Sequence, residues 1–300
     1  MRIVGIDDLV LDYYYDNGKL IAVDGGISVY NILVNLAAKN LPTSAIGSCG
    51  NDIKGKISID SLKRLNVDTS NIEENPNINT RSMHINFVNG SFTSKRRCPI
   101  CGEKDWYEKS LIEVDNILDK LDKDDILLFQ GATPINKKIL DNCNNKALVD
   151  LGYYNEFNDY SDEYIIDYFK RKFEILNINE RVYNYFKERF NNKNIYNGNL
   201  IVITKGKEGA TFIYKDNVIN NNLKPTKEID PNGAGDAFFS SIIYDYLTNK
   251  DFNIDEAFEN ATKLTSKVVS VLGARGHLHP LYEVEKENDK CTCKTLKLKK

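Results

Sequence analysis

The chain of 300 residues has no apolar run approaching the ~18 residues that cross a bilayer, so no membrane span is expected. It lacks a charge excess of either sign. Forty Lys and Arg stand against 43 Asp and Glu, a formal net charge of −3, which argues against a nucleic-acid footprint. The Lys-rich end, residues 294–300, reads as a solvated tail. Histidine is scarce. The three present, His84, His277 and His279, make no metal spacing beyond one His-x-His, so 277 and 279 are expected in a loop. No secretory leader precedes the first strand pattern, and the expected location is cytoplasmic. The six cysteines are therefore not expected to form a disulfide framework.

With 41% hydrophobic residues, a chain of this length can bury a large core, and neither an internal repeat nor a long linker divides it. Short apolar runs at residues 2–6, 44–48, 126–129, 147–149, 173–176 and 200–204 alternate with helical patterns at 29–39, 53–65, 136–142 and 180–190. That rhythm predicts an α/β fold with a doubly wound, mostly parallel sheet and helices on both faces. Two segments break it. Residues 9–23 and 83–107 read as hairpins or ribbon, with turn signals at Asp16-Asn17-Gly18 and Asn89-Gly90. Residues 191–199 and 217–222 read as polar, Asn-rich loops. The division expected is a main domain over 1–283 and a tail over 284–300.

The most informative stretch is Asp230-Pro231-Asn232-Gly233-Ala234-Gly235-Asp236, which runs straight into an apolar helical pattern. Gly233 and Gly235 let successive backbone N–H groups turn toward a ligand, and a helix start adds its positive dipole end. A phosphate would sit well there. Asp236 would repel it, unless it takes a proton from a hydroxyl attacking a phosphoryl group while the amides of Gly233, Ala234 and Gly235 hold the developing charge. The plain alternative is an ordinary helix N-cap.

In this junction the chain resembles the PfkB, or ribokinase-like, carbohydrate kinases, and the likeness continues over some 230 residues. Val4 to Asp12 is similar to that family's first strand, and the resemblance implies that Asp12 holds sugar hydroxyls. Gly25-Gly26 with Asn31 is similar to its glycine pair and helix, and residues 45–52 to its strand ending in Gly-x-Asp. Gly25 and Gly26 lie one residue further from Asn31 than the family prefers, and Pro231 replaces its usual Thr. The resemblance implies substrate contacts at Asp12, Gly25, Gly26 and Asn31, with a small β lid made by 9–23 and 83–107. It also implies that Asn177 and Glu180, in an Asn-x-x-Glu pattern, orient the waters of Mg²⁺. Thr204, Gly206 and Gly209 would form the turn beside ATP, and the helix over 260–271 would line the adenine. Two alternatives remain. Asn177 and Glu180 also fit a capping box, and residues 204–209 a simple hairpin turn. No Walker loop is present. Asp150 and Arg275 also fall where they reach the site or serve as ordinary surface groups.

Cys98-Pro99-Ile100-Cys101-Gly102 looks like one knuckle of a zinc ribbon. Cys291 and Cys293 would complete a four-thiolate structural Zn²⁺ site tying the tail to the lid; a redox pair or four thiols are the alternatives. Cys49 and Cys143 read as inert core. The expected activity is ATP-dependent phosphorylation of a hydroxyl, a primary alcohol first, on a sugar or sugar-like molecule. A kinase of a nucleoside or vitamin alcohol and a non-catalytic sugar or nucleotide sensor are the alternatives. His84, in the lid, is a candidate to meet substrate, and self-association through the lid is the assembly to test.

Overall fold

The computed structural model describes residues 1–88, 91–107, 112–152, 155–215, 217–222, 228–285, 296 and 298. Among them, nine strands form one sheet: β1 (Ile3–Ile6), β4 (Thr43–Gly50), β5 (Asp68–Asn75), β8 (Ile126–Gln130), β9 (Lys146–Leu151), β10 (Phe173–Asn179), β11 (Gly198–Thr204), β12 (Ala210–Tyr214) and β13 (Asn217–Asn221). Their order is β13-β12-β11-β10-β9-β8-β1-β4-β5. All neighbours are parallel except β11–β12 and β12–β13. Five strands make a second sheet in the order β14-β3-β2-β6-β7: β2 (Val10–Asp16), β3 (Lys19–Gly25), β6 (Arg81–Val88), β7 (Ser91–Lys95) and β14 (Tyr282–Glu283). Asn17 and Gly18 both take positive φ in the β2–β3 turn, as the Asn-Gly pair demands.

Strand periodicity feeds two cores. In β1, β8, β10 and β11, Ile3, Leu128, Ile175 and Leu200 face one side, while Val4, Leu127, Leu176 and Ile201 face the other. The first side packs helices α1 (Ser28–Ala37), α7 (Ala234–Thr248) and α8 (Ile254–Val269), together with Leu62 of α2 (Ile53–Arg64). The second packs α3 (Val114–Leu118), α4 (Pro134–Asp141), α5 (Asp162–Lys170) and α6 (Glu180–Arg189). Both faces of the sheet are thus covered, as parallel strands with crossover helices require.

The sequence pattern missed β5, β12 and β13, and the Asn-rich stretch expected as a loop at 217–222 is mostly strand. β5 and β13 are the sheet edges and read Asp-Thr-Ser-Asn-Ile-Glu-Glu-Asn and Asn-Val-Ile-Asn-Asn. Edge strands exposed to water need no apolar run, and polar residues there discourage pairing with other chains. The Asn89-Gly90 turn signal lies outside the described residues.

Candidate active site

Loops at the carboxyl ends of the parallel strands surround a cleft of about 820 Å³. Ile6, Asp7, Gln130, Thr133 and Asn136 line it from the main sheet, and Arg81, Met83, Ser94, Arg96 and Trp106 from the second sheet and the segment after it. Ile27, just before α1, also reaches it.

Asp236 lies in the first turn of α7 and is 9% exposed. Gly233 precedes the helix with φ 80°, and an added Cβ there would press on the Ala274 backbone, so only glycine fits this turn. The first helical bond runs from Ala237 N–H to Gly233 C=O at 2.9 Å. Amides ahead of it have no helical carbonyl to meet. One of the three expected anion donors is engaged, however: Ala234 N–H donates to Pro231 C=O at 3.2 Å. The loop is braced by Asp230, which accepts from the Asn232 and Gly273 amides at 2.8 and 2.7 Å.

Residues far apart in sequence meet at Asp236. Asn31 Nδ2 donates to its Oδ2 at 2.8 Å, and Arg275 Nε donates to Asn31 Oδ1 at 2.9 Å. Burial raises the Asp236 carboxyl above its ordinary range, opposed by hydrogen bonds from Asn31 and Ser28 and by the charge of Arg275. Such opposed effects suit a group that must both hold and release a proton. Asp12 sits under Gly26, where an added Cβ would collide with its carboxylate; a Cβ at Gly25 would collide with the Arg275 guanidinium. The glycine pair therefore makes room for protein groups. Burial first, then the charge of Asp24, pushes the Asp12 carboxyl up to about 7, against Arg275, Asn232 and Tyr14. Asn232, beside the unusual Pro231, reaches the lid: its Nδ2 donates to Tyr14 Oη at 3.3 Å.

Ile27 takes φ 70°, costly for a β-branched residue, and occupies the second position of the glycine pair when Asn31 keeps the register. Asn232, Tyr14, Ser28, Ser61 and Asp24 were not singled out from sequence. Their roles arise only from packing, and the positive φ at Ile27 has no sequence signal.

The second group lies on β9, β10 and β11. Asn177 Nδ2 donates to Asp150 Oδ1 at 2.8 Å, while the buried Asn177 Oδ1 has no hydrogen-bond partner among the described residues. The capping alternative for Asn177 does not hold, because Asn179 caps α6 by accepting from Val182 N–H at 2.8 Å. Glu180 is the first residue of α6. Thr204 is registered beside Asn179, which brings the Asn-x-x-Glu and Thr-to-Gly209 segments together. Gly206 and Gly209 take positive φ, and a Cβ at Gly209 would strike the Asn221 carbonyl. The helix expected over 260–271 ends at Val269.

Several expectations fall elsewhere. His84 points to the far side of the second sheet, stacked on Tyr13 at 5.0 Å and bonded to Tyr15 Oη at 2.9 Å, away from Met83 and the cleft. Strand alternation between Met83 and His84 explains it. Cys49 is fully buried, which pushes its thiol up to about 12 and makes it inert; Cys143 is half-buried. Cys98 is buried and Cys101 exposed, while Cys291 and Cys293 lie outside the described residues. Among the described residues no group of three metal-ligating side chains occurs, and no helix is long and apolar enough to cross a membrane.

Residues 184–279 match the pfkB family of carbohydrate kinases. Over 91–93% of the chain the fold matches solved kinases of the ribokinase-like type. A sugar kinase from Pyrococcus horikoshii in complex with ATP superposes with a TM-score of 0.76 at 18% identity, covering 91% of this chain and 93% of that one. A nucleoside kinase of the ribokinase family from Methanocaldococcus jannaschii gives 0.71 at 16%, with 93% and 95% covered. A double mutant of fructokinase from Vibrio cholerae, bound to fructose, ADP and potassium, gives 0.71 at 18%, with 91% and 94% covered. No curated protein sequence matches.

Proposed function

We propose that this chain is an ATP-dependent kinase that phosphorylates a hydroxyl, a primary alcohol first, of a sugar or sugar-like molecule. The observation that carries it is Asp236, buried in the first turn of α7 behind a glycine turn and bonded to Asn31, whose helix starts at the cleft. Asp236 takes the proton of the attacking hydroxyl, and the first-turn amides from Gly233 to Gly235 hold the charge that develops on the transferred group. Pro231 C=O must yield the Ala234 amide for that amide to take part. Asp12 and Asn31 orient the substrate. Arg81, Met83 and Trp106 form the lid wall that excludes water.

Thr204, Gly206 and Gly209 form the ATP turn. The oxygen donors Asp150, Asn177 and Glu180 fit a hydrated Mg²⁺, which keeps most of its waters, and the unpaired Asn177 Oδ1 is suited to accept from one. Mg²⁺ would neutralise phosphate charge. Supporting the kinase reading, the P. horikoshii and V. cholerae structures hold ATP or ADP. A panel of sugars, sugar amines, sugar phosphates and nucleosides, assayed for ADP release with Mg-ATP, tests it. ATP binding without turnover of any alcohol would turn the reading toward a sensor.

The cysteine proposal is separate. Gly102 N–H donates to Cys98 C=O at 3.0 Å, with φ 74° at Gly102, the tight turn a metal knuckle uses. Cys98 shares an apolar cluster with Leu296, three residues beyond Cys293. We propose a structural Zn²⁺ held by Cys98, Cys101, Cys291 and Cys293. Protein that stays folded and active after chelation, at well under one zinc per chain, sinks it. Self-association through the lid also stays a proposal; it would use the β7 edge, since the far face of that sheet packs on Ile57, Val284 and Leu296 of the same chain.

A further inference from the structure

Asn31 is an amide with two chemically different ends, and both are in use. Its Nδ2 donates to Asp236 and its Oδ1 accepts from Arg275 Nε. A guanidinium has five donors and no acceptor, so only the carbonyl end of Asn31 can face it. Arg275 is itself held on every side. Nη2 donates to Gly26 C=O at 2.9 Å, and Nη1 donates to Ser61 Oγ at 2.9 Å, whose hydroxyl in turn donates to Asp24 Oδ1 at 2.7 Å. The side chain is 1% exposed, and Gly25 provides the space for it.

We propose that Arg275 is a positioning residue for phosphoryl transfer: by locking the Asn31 amide it delivers an N–H to the base Asp236 and couples the base to the carboxylates beneath the glycine pair. The inference rests on Asp236 being the base. Asp12 and Tyr14 of β2, Asp24 of β3 and Asp236 of α7 are the charged and titratable groups facing Arg275, and His279 stands 3.1 Å from Asp24. Asp236 is faced also by Ser28 and Asn31 of α1. The same loop that carries Arg275 accepts the Gly233 turn against Ala274 and bonds Asp230 through the Gly273 amide. Substrate side and anion side are therefore braced by one segment, residues 273–275.

Without the guanidinium, the Asn31 amide is free to turn its carbonyl toward the Asp236 carboxylate, which disfavours the charged form and makes the base ineffective until higher pH. Arg275→Met and Arg275→Lys test this in the full-length protein, read by kcat, by KM for ATP and by the pH profile. We expect kcat to fall about thirtyfold in Arg275→Met, as for loss of a charge-assisted hydrogen bond, with partial rescue in Arg275→Lys. KM for ATP stays within about twofold, and the acid limb of kcat moves to higher pH. A carbon-13 carboxyl titration of Asp236, assigned with Asp236→Asn, should move the same way. Wild-type kcat, or a lower kcat with an unmoved Asp236 titration, overturns the inference. If Arg275→Met fails to fold, Arg275→Lys is judged by the same criteria. If the wild-type protein turns over no alcohol, the kinase reading fails and the proposal falls with it; the carboxyl titration then reports only whether Arg275 sets the proton affinity of Asp236.

Discussion

The two halves of the candidate site are built in opposite ways. The nucleotide half is local: Asp150, Asn177 and Thr204 stand at the ends of adjacent parallel strands, so neighbouring strands bring them together. The proposed substrate half gathers Asp12, Asn31, Asp236 and Arg275 from β2, α1, α7 and a C-terminal loop, with Asn31 and Asp236 205 positions apart in the sequence. Asn31, Asp236 and Arg275 are buried and hydrogen-bonded in a chain, with the buried Asp12 in the field of Arg275, whereas the turn over residues 206–208 is exposed. A site made of strand ends tolerates local change. One made of buried, mutually satisfied polar groups loses several interactions when one member is removed.

The sharpest break of the comparison is Asp236→Asn, which should lower kcat by about 10²–10⁴-fold while ATP binding survives, because the proposed base sits in one half and the proposed nucleotide turn in the other. Assays of kcat and of ATP affinity on the same preparation check it. Gly26→Ala comes next. The added methyl collides with the Asp12 carboxylate in a packed site and should cost about 1–3 kcal/mol of stability, measured by denaturant unfolding, along with most turnover.

Gly209→Ala is the matching test of the nucleotide half. Its φ of 107° and the Asn221 carbonyl oppose a side chain, so KM for ATP should rise about tenfold with the Asp236 titration unmoved. In Ile27→Gly two effects oppose: it relieves a positive φ of 70° but removes a side chain packed partly buried against the first core, so stability by denaturant unfolding should change by no more than about 1–2 kcal/mol, while KM for the substrate rises as the cleft wall is lost.

The last test concerns pH. His84 and His277 are pushed down to about 4, mainly by burial. The unfolded chain binds their protons near 6.5, so stability is full above that pH and is lost as pH falls from 6.5 toward 4. Asp12 acts in the other direction. Its raised value makes the folded state hold a proton the unfolded chain releases, so its contribution declines as pH rises from about 4 to about 7. Unfolding curves of His84→Gln and Asp12→Asn across this range separate the two.

Strand and helix periodicity and the glycine turn at 233–235 were legible because each is a short-range pattern with a local physical cause, whereas the Asn-x-x-Glu and Thr-to-Gly209 stretches stood out only through the family resemblance. The sheet edges were not, since β5 and β13 face water and carry no apolar signal. Nor was the side of the lid strand that His84 faces, because a shift of one residue exchanges the two faces.

By itself the sequence determined the buried parallel strands and most of the helices between them, where the backbone can turn on glycine, and that a carboxylate stands at the start of α7. Tertiary structure alone decided that Gly25 and Gly26 make room for Arg275 and Asp12, that Asn179 and not Asn177 caps α6, and that Asn31 joins Arg275 to Asp236. The reason is physical: dihedral preference and hydrophobic period act over a few residues, whereas the hydrogen-bond partner of a buried polar group is chosen by whichever distant segment the packed core brings within 3 Å of it.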